Sequence, residues 1–135
     1  MMKQFDAKDI YIRLIEGTEA LVPVPAISYG NDIYEIKENL YLNLEEDVTS
    51  IWEFFPGDIV KCIEQNKRLI AFKLMDSKFP NRKLYQLIYL IVKNVGKIKR
   101  CQLEEFENEI KQLCLNKNIA QRQHPIVKEW LHENC

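Results

Sequence analysis

Polar and apolar residues alternate along the first part of the chain with a period of two, which is typical of half-buried β-strands. Residues 9–15 follow this pattern imperfectly, and the short segments at residues 20–27, 33–36, 59–63 and 69–75 are predicted as further strands. Short turn segments containing glycine, asparagine or aspartate separate most of them, and the last two segments predict a hairpin. About five strands in such a short stretch are typical of a small barrel or a strongly curled sheet.

The second predicted strand contains two prolines, Pro23 and Pro25. Proline cannot donate a backbone hydrogen bond to a β-ladder. The pattern therefore predicts either an edge strand or a strand whose proline nitrogens face away from a neighbour.

Residues 38–51 fit two patterns at once. Their leucines at positions 40, 42 and 44 alternate as in a strand, whereas Asn43 followed by Glu46 resembles a helix capping box. Ile51 and Trp52 continue the helical spacing. We expect a short helical turn inside a long loop.

An aromatic cluster at residues 52–55 meets a Pro-Gly-Asp turn, and a β-branched run follows it. Proline fixes φ at the second position of a turn, and Gly57 tolerates the positive φ that a type II turn needs next. Asp58 is expected to accept hydrogen bonds from the turn amides. We expect the core of the β-rich part to form around this corner.

In the second part of the chain the apolar period becomes that of amphipathic helices. A first helix carries apolar residues at helical spacing from Leu84 to Val95, and Gly96 occupies the place of a C-terminal cap. A second helix is predicted over residues 101–116. A third follows Pro125, because proline is well tolerated in a first helical turn.

These elements predict an α+β fold: a small antiparallel β-barrel or curled sheet, followed by about three C-terminal helices packed on it. Residues 1–77 would form a β-rich module and residues 78–135 a helical subdomain. A chain of 135 residues suits one compact structural unit of this kind.

Charge divides unevenly between the two parts, although the whole chain carries only −1. Residues 1–77 hold 8 Lys/Arg against 14 Asp/Glu, a net −6, and residues 78–135 hold 11 against 6, a net +5. One interpretation is that the two parts attract each other and dock. The other is an acidic surface that recognises a basic partner.

No apolar run near the N-terminus suits a signal peptide, and the longest apolar stretch, residues 87–92, is too short to span a bilayer. We therefore expect a cytoplasmic location. Cysteines are kept reduced in that compartment. Free thiols are thus predicted for Cys62, Cys101, Cys114 and Cys135.

No residue pattern here is typical of a catalytic or cofactor site. The glutamates of the second predicted helix spread around a solvated face, where nothing apolar would raise a pKa. Cys114, His124, His132 and Cys135 are metal-ligand types, but their spacing fits no zinc site. We expect both histidines at the surface, Cys114 in the core, and a non-enzymatic protein that needs no cofactor or metal.

A basic cluster surrounds Gly96. Its members are Lys93, Lys97, Lys99 and Arg100. Such a cluster can contact nucleic-acid phosphates, and Tyr85 or Tyr89, if exposed, would add stacking to bases. It can equally serve as solubilising charge or as a complement to the acidic module.

Residues 10–63 resemble a group of small bacterial proteins, most without an assigned activity, that contain a β-rich module. The matching elements are Arg13-Leu14, Glu16-Gly17-Thr18, Val22-Pro23-Val24, Ala26, Gly30, Ile33-Tyr34-Glu35-Ile36, Trp52-Glu53-Phe54, Pro56-Gly57-Asp58, Val60 and Cys62. They are turn glycines, strand prolines and core aromatics, so the resemblance implies a shared β fold and no activity. In size, charge and composition the whole chain is also similar to bacterial immunity proteins, which neutralise toxins.

We predict a protein-binding module, in its most specific form an immunity-type inhibitor of a bacterial toxin. Complementary charge would attract a basic toxin domain to an acidic surface. The residues predicted for that surface are Glu45, Glu46, Asp47, Glu53 and Asp58. One alternative is a nucleic-acid-associated regulator that uses the basic turn; another is a structural or adaptor protein. No membrane contact is expected, and the oligomeric state is left open.

Overall fold

The computed structural model of the protein describes residues 7–16, 18–38 and 49–135. In these residues six β-strands precede three α-helices, so the predicted α+β fold class is confirmed. The strands are β1 (Ala7–Glu16), β2 (Thr18–Gly30), β3 (Ile33–Ile36), β4 (Ile51–Trp52), β5 (Asp58–Gln65) and β6 (Arg68–Ser77). The helices are α1 (Arg82–Lys93), α2 (Glu107–Leu115) and α3 (Pro125–Asn134), with 3-10 helices at Arg100–Phe106 and Ala120–Gln123.

Five of the described strands form a closed barrel. They pair in the order β1, β2, β3, β5, β6, and β6 pairs in turn with β1, which closes the ring. β3 is antiparallel to β2 and to β5, and β5 is antiparallel to β6. β1 and β6 run parallel, with Tyr11 opposite Ile70. An odd number of strands with alternating directions leaves one parallel pair where the ring closes.

An edge strand was one of the two possibilities predicted for β2 from its prolines. β2 is not an edge strand, because it pairs with β1 on one side and with β3 on the other. Pro23 and Pro25 are both exposed. The carbonyl of Pro25 accepts a hydrogen bond from Lys37 N at 2.9 Å. Pro25 therefore joins this pairing as an acceptor, which its ring permits.

Two-residue turns connect β2 to β3 and β5 to β6. Asn31 and Asp32 have φ angles of 56° and 63°, and Asn66 and Lys67 have 52° and 65°. Two consecutive positive φ angles are typical of type I′ turns, whose twist matches that of the flanking strands. Asparagine and aspartate tolerate this region better than most residues. Both predicted turns are confirmed.

Ile51 and Trp52 form the short strand β4, which pairs with β1. The helical interpretation is therefore wrong at these two residues. Both side chains are buried. β-branched and aromatic residues suit a strand, so strand pairing outweighs the helical spacing. Residues 39–48, which include the predicted capping box, lie outside the described residues.

The described residues divide into two compact units. The barrel unit comprises residues 7–14, 20–38 and 52–80, and the helical unit residues 15–16, 18–19, 49–51 and 81–135. In the barrel unit the buried side chains come from alternate positions of the strands and from the corner after β4. The largest of them are Ile10, Ile12, Ile36, Trp52 and Phe55.

The helical unit has a core of its own, to which all three α-helices contribute. Residue Ile51 of β4 contributes to it, and Ile15 of β1 packs against it. The indole nitrogen of Trp130 donates a hydrogen bond to the carbonyl of Ile98 at 2.8 Å, which satisfies the polar atom of this large buried ring. The helical residues that fill this core include Leu87, Ile88, Ile91, Phe106, Ile110, Leu113, Val127 and Trp130.

α1 ends in a Schellman motif. Gly96 N donates to Ile91 O at 2.8 Å, and Val95 N donates to Val92 O at 3.0 Å. The left-handed residue of this motif is Val95, with φ of 54°, although Gly96 also has a positive φ of 70°. The predicted cap position is thus wrong by one residue, because the helix ends one residue before the place that the glycine indicated.

The second predicted helix consists of two segments. A 3-10 helix covers Arg100–Phe106, with non-helical angles at Leu103, and α2 begins at Glu107. The predicted apolar stripe is nevertheless buried, at Leu103, Phe106, Ile110 and Leu113. α3 begins at Pro125 as predicted. No helix among the described residues is long and apolar enough to cross a membrane.

Candidate functional site

The predicted acidic surface is only partly present in the described residues. Glu45, Glu46 and Asp47 lie outside them. Glu53 is half-buried. Asp58 is completely buried, so its carboxylate reaches no surface on which a partner can dock. This burial corrects the assignment of Asp58 to the predicted surface.

Asp58 stabilises the Pro-Gly corner. Its carboxylate accepts hydrogen bonds from Phe55 N at 2.8 Å and from the hydroxyl of Ser77. Asp58 N donates back to Phe55 O at 2.9 Å, and Gly57 has φ of 94°, as in a type II turn. A Cβ added at Gly57 would lie 3.2 Å from Phe79 N, so space as well as conformation requires glycine. The predicted turn is confirmed.

Glu35 is a second buried acid of the barrel unit, and basic and phenolic groups surround it. It accepts hydrogen bonds from the Tyr29 hydroxyl, from Lys78 Nζ at 2.9 Å and from Lys37 Nζ at 3.1 Å. These donors, Tyr29 first, lower the pKa of Glu35 from 4.5 to about 2. The same contacts raise the pKa of Tyr29 and of Lys78. Every shift moves a pKa away from neutrality, so the cluster suits structure better than proton transfer.

Two β-bulges in β6 bring apolar side chains to the outside of the β5–β6 hairpin. Val60 lies opposite Leu74 and Lys61 opposite Lys73, but the register shifts after Ile59 and after Lys61. At each shift β6 contains an extra residue, Met75 in one case and Phe72 in the other. A bulge breaks strand alternation and redirects side chains. The side chains of two neighbouring residues are therefore exposed at each bulge, at positions 72 and 73 and at positions 75 and 76.

We define the hairpin face as Lys61, Ile63, Phe72, Lys73 and Met75, which are five of the exposed residues of this hairpin; the acids Glu64 and Asp76 are exposed as well. Ile63 is 47% exposed, and Phe72 and Met75 are each 45% exposed. These values make the three apolar side chains accessible to a partner. Half of the large apolar side chains that are exposed in the described residues therefore belong to one hairpin.

Two lysines of the hairpin face lie directly opposite each other. Lys61 and Lys73 are cross-strand partners in the β5–β6 register, and both are exposed. Directly opposite Cβ atoms are about 4.5–5.5 Å apart, and like charges at that distance destabilise a sheet. The pair therefore destabilises the sheet slightly, and it places two positive charges beside the apolar side chains.

The predicted basic cluster is divided in the structure. Its lysines, Lys93, Lys97 and Lys99, are exposed. Arg100, in contrast, donates through Nε to the carboxylate of Glu107 at 3.0 Å and through Nη1 to the carbonyl of Asn134. Tyr89 is buried, and Tyr85 is half-buried with its pKa raised by desolvation. The tyrosines therefore do not form the predicted stacking surface.

A disulfide joins Cys114 and Cys135, whose Cα atoms are 5.8 Å apart. The prediction of a free thiol is wrong for both cysteines, because the fold brings together the ends of α2 and α3, which no sequence spacing indicates. Cys62 and Cys101 are free. Burial raises the pKa of Cys62 to about 12, so this thiol is not activated.

His124 is buried rather than at the surface as predicted. Its Nδ1 accepts a hydrogen bond from Ile126 N at 3.2 Å and so caps the N-terminus of α3. Burial lowers the pKa of His124, which favours the neutral ring that this acceptor role needs. His132 is exposed, as predicted.

The sequence prediction missed the hairpin face. The signal lay in residues 69–75, where apolar residues run on without clean alternation. A strand segment in which apolar residues do not alternate with polar ones is compatible with bulges, but periodicity alone does not locate them.

Comparison of the chain with protein-family models, with curated proteins and with solved structures gives no match. The resemblance of residues 10–63 to small bacterial proteins therefore stays a prediction.

Proposed function

We propose that the chain is a non-enzymatic protein-binding module whose partner docks on the hairpin face. The observation that carries this proposal is the grouped exposure of Ile63, Phe72 and Met75 on one hairpin. Apolar side chains that are exposed together are typical of interaction surfaces, whereas scattered ones are ordinary. Aromatic and methionine side chains are also enriched in protein interfaces.

The chemistry of the hairpin face favours a protein over a nucleic acid. Proteins that bind single-stranded nucleic acids stack successive bases on several aromatic rings. The hairpin face has one aromatic ring, that of Phe72. Ile63 and Met75 are aliphatic and suit the apolar centre of a protein interface. Lys61 and Lys73 favour a partner surface with acidic residues beside an apolar patch.

An immunity-type inhibitor of a toxin is an alternative protein-binding role, and the net negative charge of residues 1–77 supports it. That role uses the acidic residues Glu45, Glu46, Asp47 and Glu53 and needs a basic partner. The hairpin face needs an acidic one. The two docking surfaces therefore predict opposite effects of charge substitutions.

Lys61→Glu separates binding from folding. It places a carboxylate opposite Lys73, and opposite charges in a cross-strand pair contribute roughly 0.2–1 kcal/mol. We expect the free energy of unfolding to stay unchanged or to rise, while affinity for an acidic partner falls about tenfold or more. The matched control is Lys117→Glu, which makes the same charge change at an exposed site of the helical unit.

The partner is first captured from a lysate of the source cells on immobilised wild-type chain, and each variant is then tested for its capture. Phe72→Ser should lose the captured protein, whereas Leu115→Ser, at an 82% exposed site of the helical unit, should retain it. Capture that survives Phe72→Ser and Lys61→Glu would exclude the hairpin face. Loss on charge reversal of Glu45, Glu46 and Asp47 alone would favour the acidic surface and an immunity-type role.

A nucleic-acid-associated role is the second candidate, and the exposure of Lys97 and Lys99 favours it. Both lysines line a cavity of about 430 Å³, and Gly96 and Glu133 line it too. A salt-dependent gel shift that is lost in Lys97→Ala/Lys99→Ala would support this role. A shift that persists in that variant would exclude this site.

A further inference from the structure

The Cys114–Cys135 disulfide lies in the wall of an open cavity in the helical unit. The cavity has a volume of about 850 Å³, and both cysteines line it, together with residues of α3 and of the second 3-10 helix. Cys135 is exposed and Cys114 is half-buried. A small molecule that enters the cavity from solvent therefore reaches the disulfide while the chain stays folded.

Access determines how a disulfide reacts with thiols. A thiolate attacks one of the two sulfurs, and the rate depends on which sulfur it can approach. Structural disulfides resist reduction, whereas exposed ones are the labile and regulatory ones. The greater exposure of Cys135 therefore favours attack at its sulfur, with Cys114 as the leaving group.

The other residues of the cavity lining suit a small, uncharged thiol. Pro125 and Leu131 give the lining an apolar part, and the neighbouring residues Lys128 and Glu129 carry opposite charges. A lining with both signs of charge gives an anion no advantage over a neutral molecule. The volume of the cavity is typical of small-molecule sites, so a thiol of a few carbon atoms fits easily.

Non-covalent contacts hold the end of α3 independently of the disulfide. The indole nitrogen of Trp130 donates a hydrogen bond to Ile98 O at 2.8 Å, and Nη1 of Arg100 donates to Asn134 O. Trp130 and Leu131 are both buried in the core of the helical unit. None of these contacts involves a cysteine, so we expect α3 to stay in place when the bond between the two sulfurs is broken.

We propose that the Cys114–Cys135 disulfide is a thiol-exchange site of the folded chain. The thiolate of a small aliphatic thiol attacks the sulfur of Cys135 from the cavity, the bond between the two cysteine sulfurs breaks, and its electron pair goes to Cys114. The products are a mixed disulfide on Cys135 and a free Cys114 thiol, which takes up the proton that the attacking thiol released. Attack by Cys114 on the mixed disulfide reverses the step.

The exchange site and the hairpin face belong to different units of the chain. The cysteines lie in the helical unit, whereas the hairpin face lies in the barrel unit. Exchange at the disulfide needs no protein partner. Either proposal can therefore fail without the other.

The rate of exchange with 2-mercaptoethanol distinguishes attack on the folded chain from attack after unfolding. The full-length, oxidised chain is mixed with the thiol and quenched with acid at early times, and mass spectrometry of its peptides locates the adduct. The rate constant should be the same with and without about 1 M urea, because a route through global unfolding would be roughly fivefold or more faster in that concentration. An increase of that size, or an adduct on Cys114 alone, would overturn the proposal.

Two matched variants identify the sulfur that is attacked. Cys114→Ser leaves Cys135 unpaired, Cys135→Ser leaves Cys114 unpaired, and both variants lose the same disulfide. Each is made in a Cys101→Ser chain, because Cys101 is an exposed free thiol that would react as well. With 2-hydroxyethyl disulfide as the probe, Cys135 should form a mixed disulfide about tenfold faster than Cys114. Equal rates, or a faster reaction of Cys114, would overturn attack at Cys135.

The near-ultraviolet circular dichroism of the chain tests whether the exchange is a step of the folded protein. The buried ring of Trp130 contributes to this signal. The signal of the wild-type chain should be retained after reduction with 2-mercaptoethanol and after reoxidation. Its loss on reduction would show that the helical unit unfolds without the disulfide, and would contradict the proposal.

Discussion

Val95 is a β-branched residue in a backbone conformation that favours glycine. Its φ of 54° lies in the left-handed region, and its side chain is 63% exposed, so little packing offsets the strain. Left-handed geometry costs an L-residue roughly 1–2 kcal/mol, whereas glycine loses about 0.5–1 kcal/mol through the entropy of the unfolded chain.

Val95→Gly should therefore raise the free energy of unfolding by about 0.5–1 kcal/mol, measured as a higher urea midpoint at an unchanged m-value. Val95→Ala removes the exposed side chain but keeps the Cβ, and should gain less. A lower midpoint for Val95→Gly would show that the valine is not strained there.

Single residues with strong local preferences were also the ones that the sequence predicted best. The turn at Gly57 and the hydrogen bond that Asp58 accepts follow from the local chemistry of proline, glycine and aspartate. The burial of Asp58 was missed, because Ser77, which donates to it, is nineteen residues away. Local patterns contain no information on such partners.

At the scale of elements, the disulfide is the strongest link between α2 and α3. It closes a loop with a sequence separation of 21 residues, and a loop of that length predicts about 3 kcal/mol of stabilisation through the unfolded chain. Cys114→Ser/Cys135→Ser should lower the free energy of unfolding by about this amount under oxidising conditions, measured by urea denaturation.

The exposed free thiol Cys101 provides the control for the disulfide. Cys101→Ser should unfold at the wild-type midpoint, and a reducing agent should lower that midpoint as far as the double substitution does. Equal midpoints for wild type and Cys114→Ser/Cys135→Ser would contradict a stabilising disulfide.

Element positions were largely predictable, whereas the details that create the candidate site were not. Short strand-type segments between turn residues located β1, β2, β3, β5 and β6, and helical spacing located all three α-helices. The bulges at Phe72 and Met75 depend on how β6 registers against β5. Register is a property of paired strands, so one strand's sequence does not determine it.

At the scale of the whole molecule, acid stability should depend on Glu35. Its folded-state pKa of about 2 lies below the ordinary value of 4.5, so its contribution to stability is present above pH 4.5 and is lost as the pH falls towards 2. Glu35→Gln should be less stable than wild type at pH 7, and the difference should shrink over that interval.

Unfolding free energies between pH 2 and 7 measure this effect. Glu64→Gln is the control, because Glu64 is exposed in β5. It should follow the wild-type curve. A constant difference between Glu35→Gln and wild type over the whole range would show that the Glu35 pKa is not lowered by folding.

Closure of the barrel is also a property of the whole molecule. The sequence predicted either a closed barrel or a curled sheet. The number of short strands favoured a barrel or a curled sheet. The decision rests on the pairing of Tyr11 with Ile70, residues far apart in the chain. The parallel direction of that pair follows from the odd number of strands and from nothing local.

In the proposed function, a protein partner docks on the hairpin face. Amide hydrogen exchange of the chain, free and in complex with the captured partner, tests it most directly, since it locates the protected segment without any substitution. We predict slowed exchange within residues 59–64 and 69–76, with residues 93–100 unchanged. Protection confined to residues 93–100, or to the acidic segment at residues 45–47, with none in β5 and β6, would exclude docking on the hairpin face.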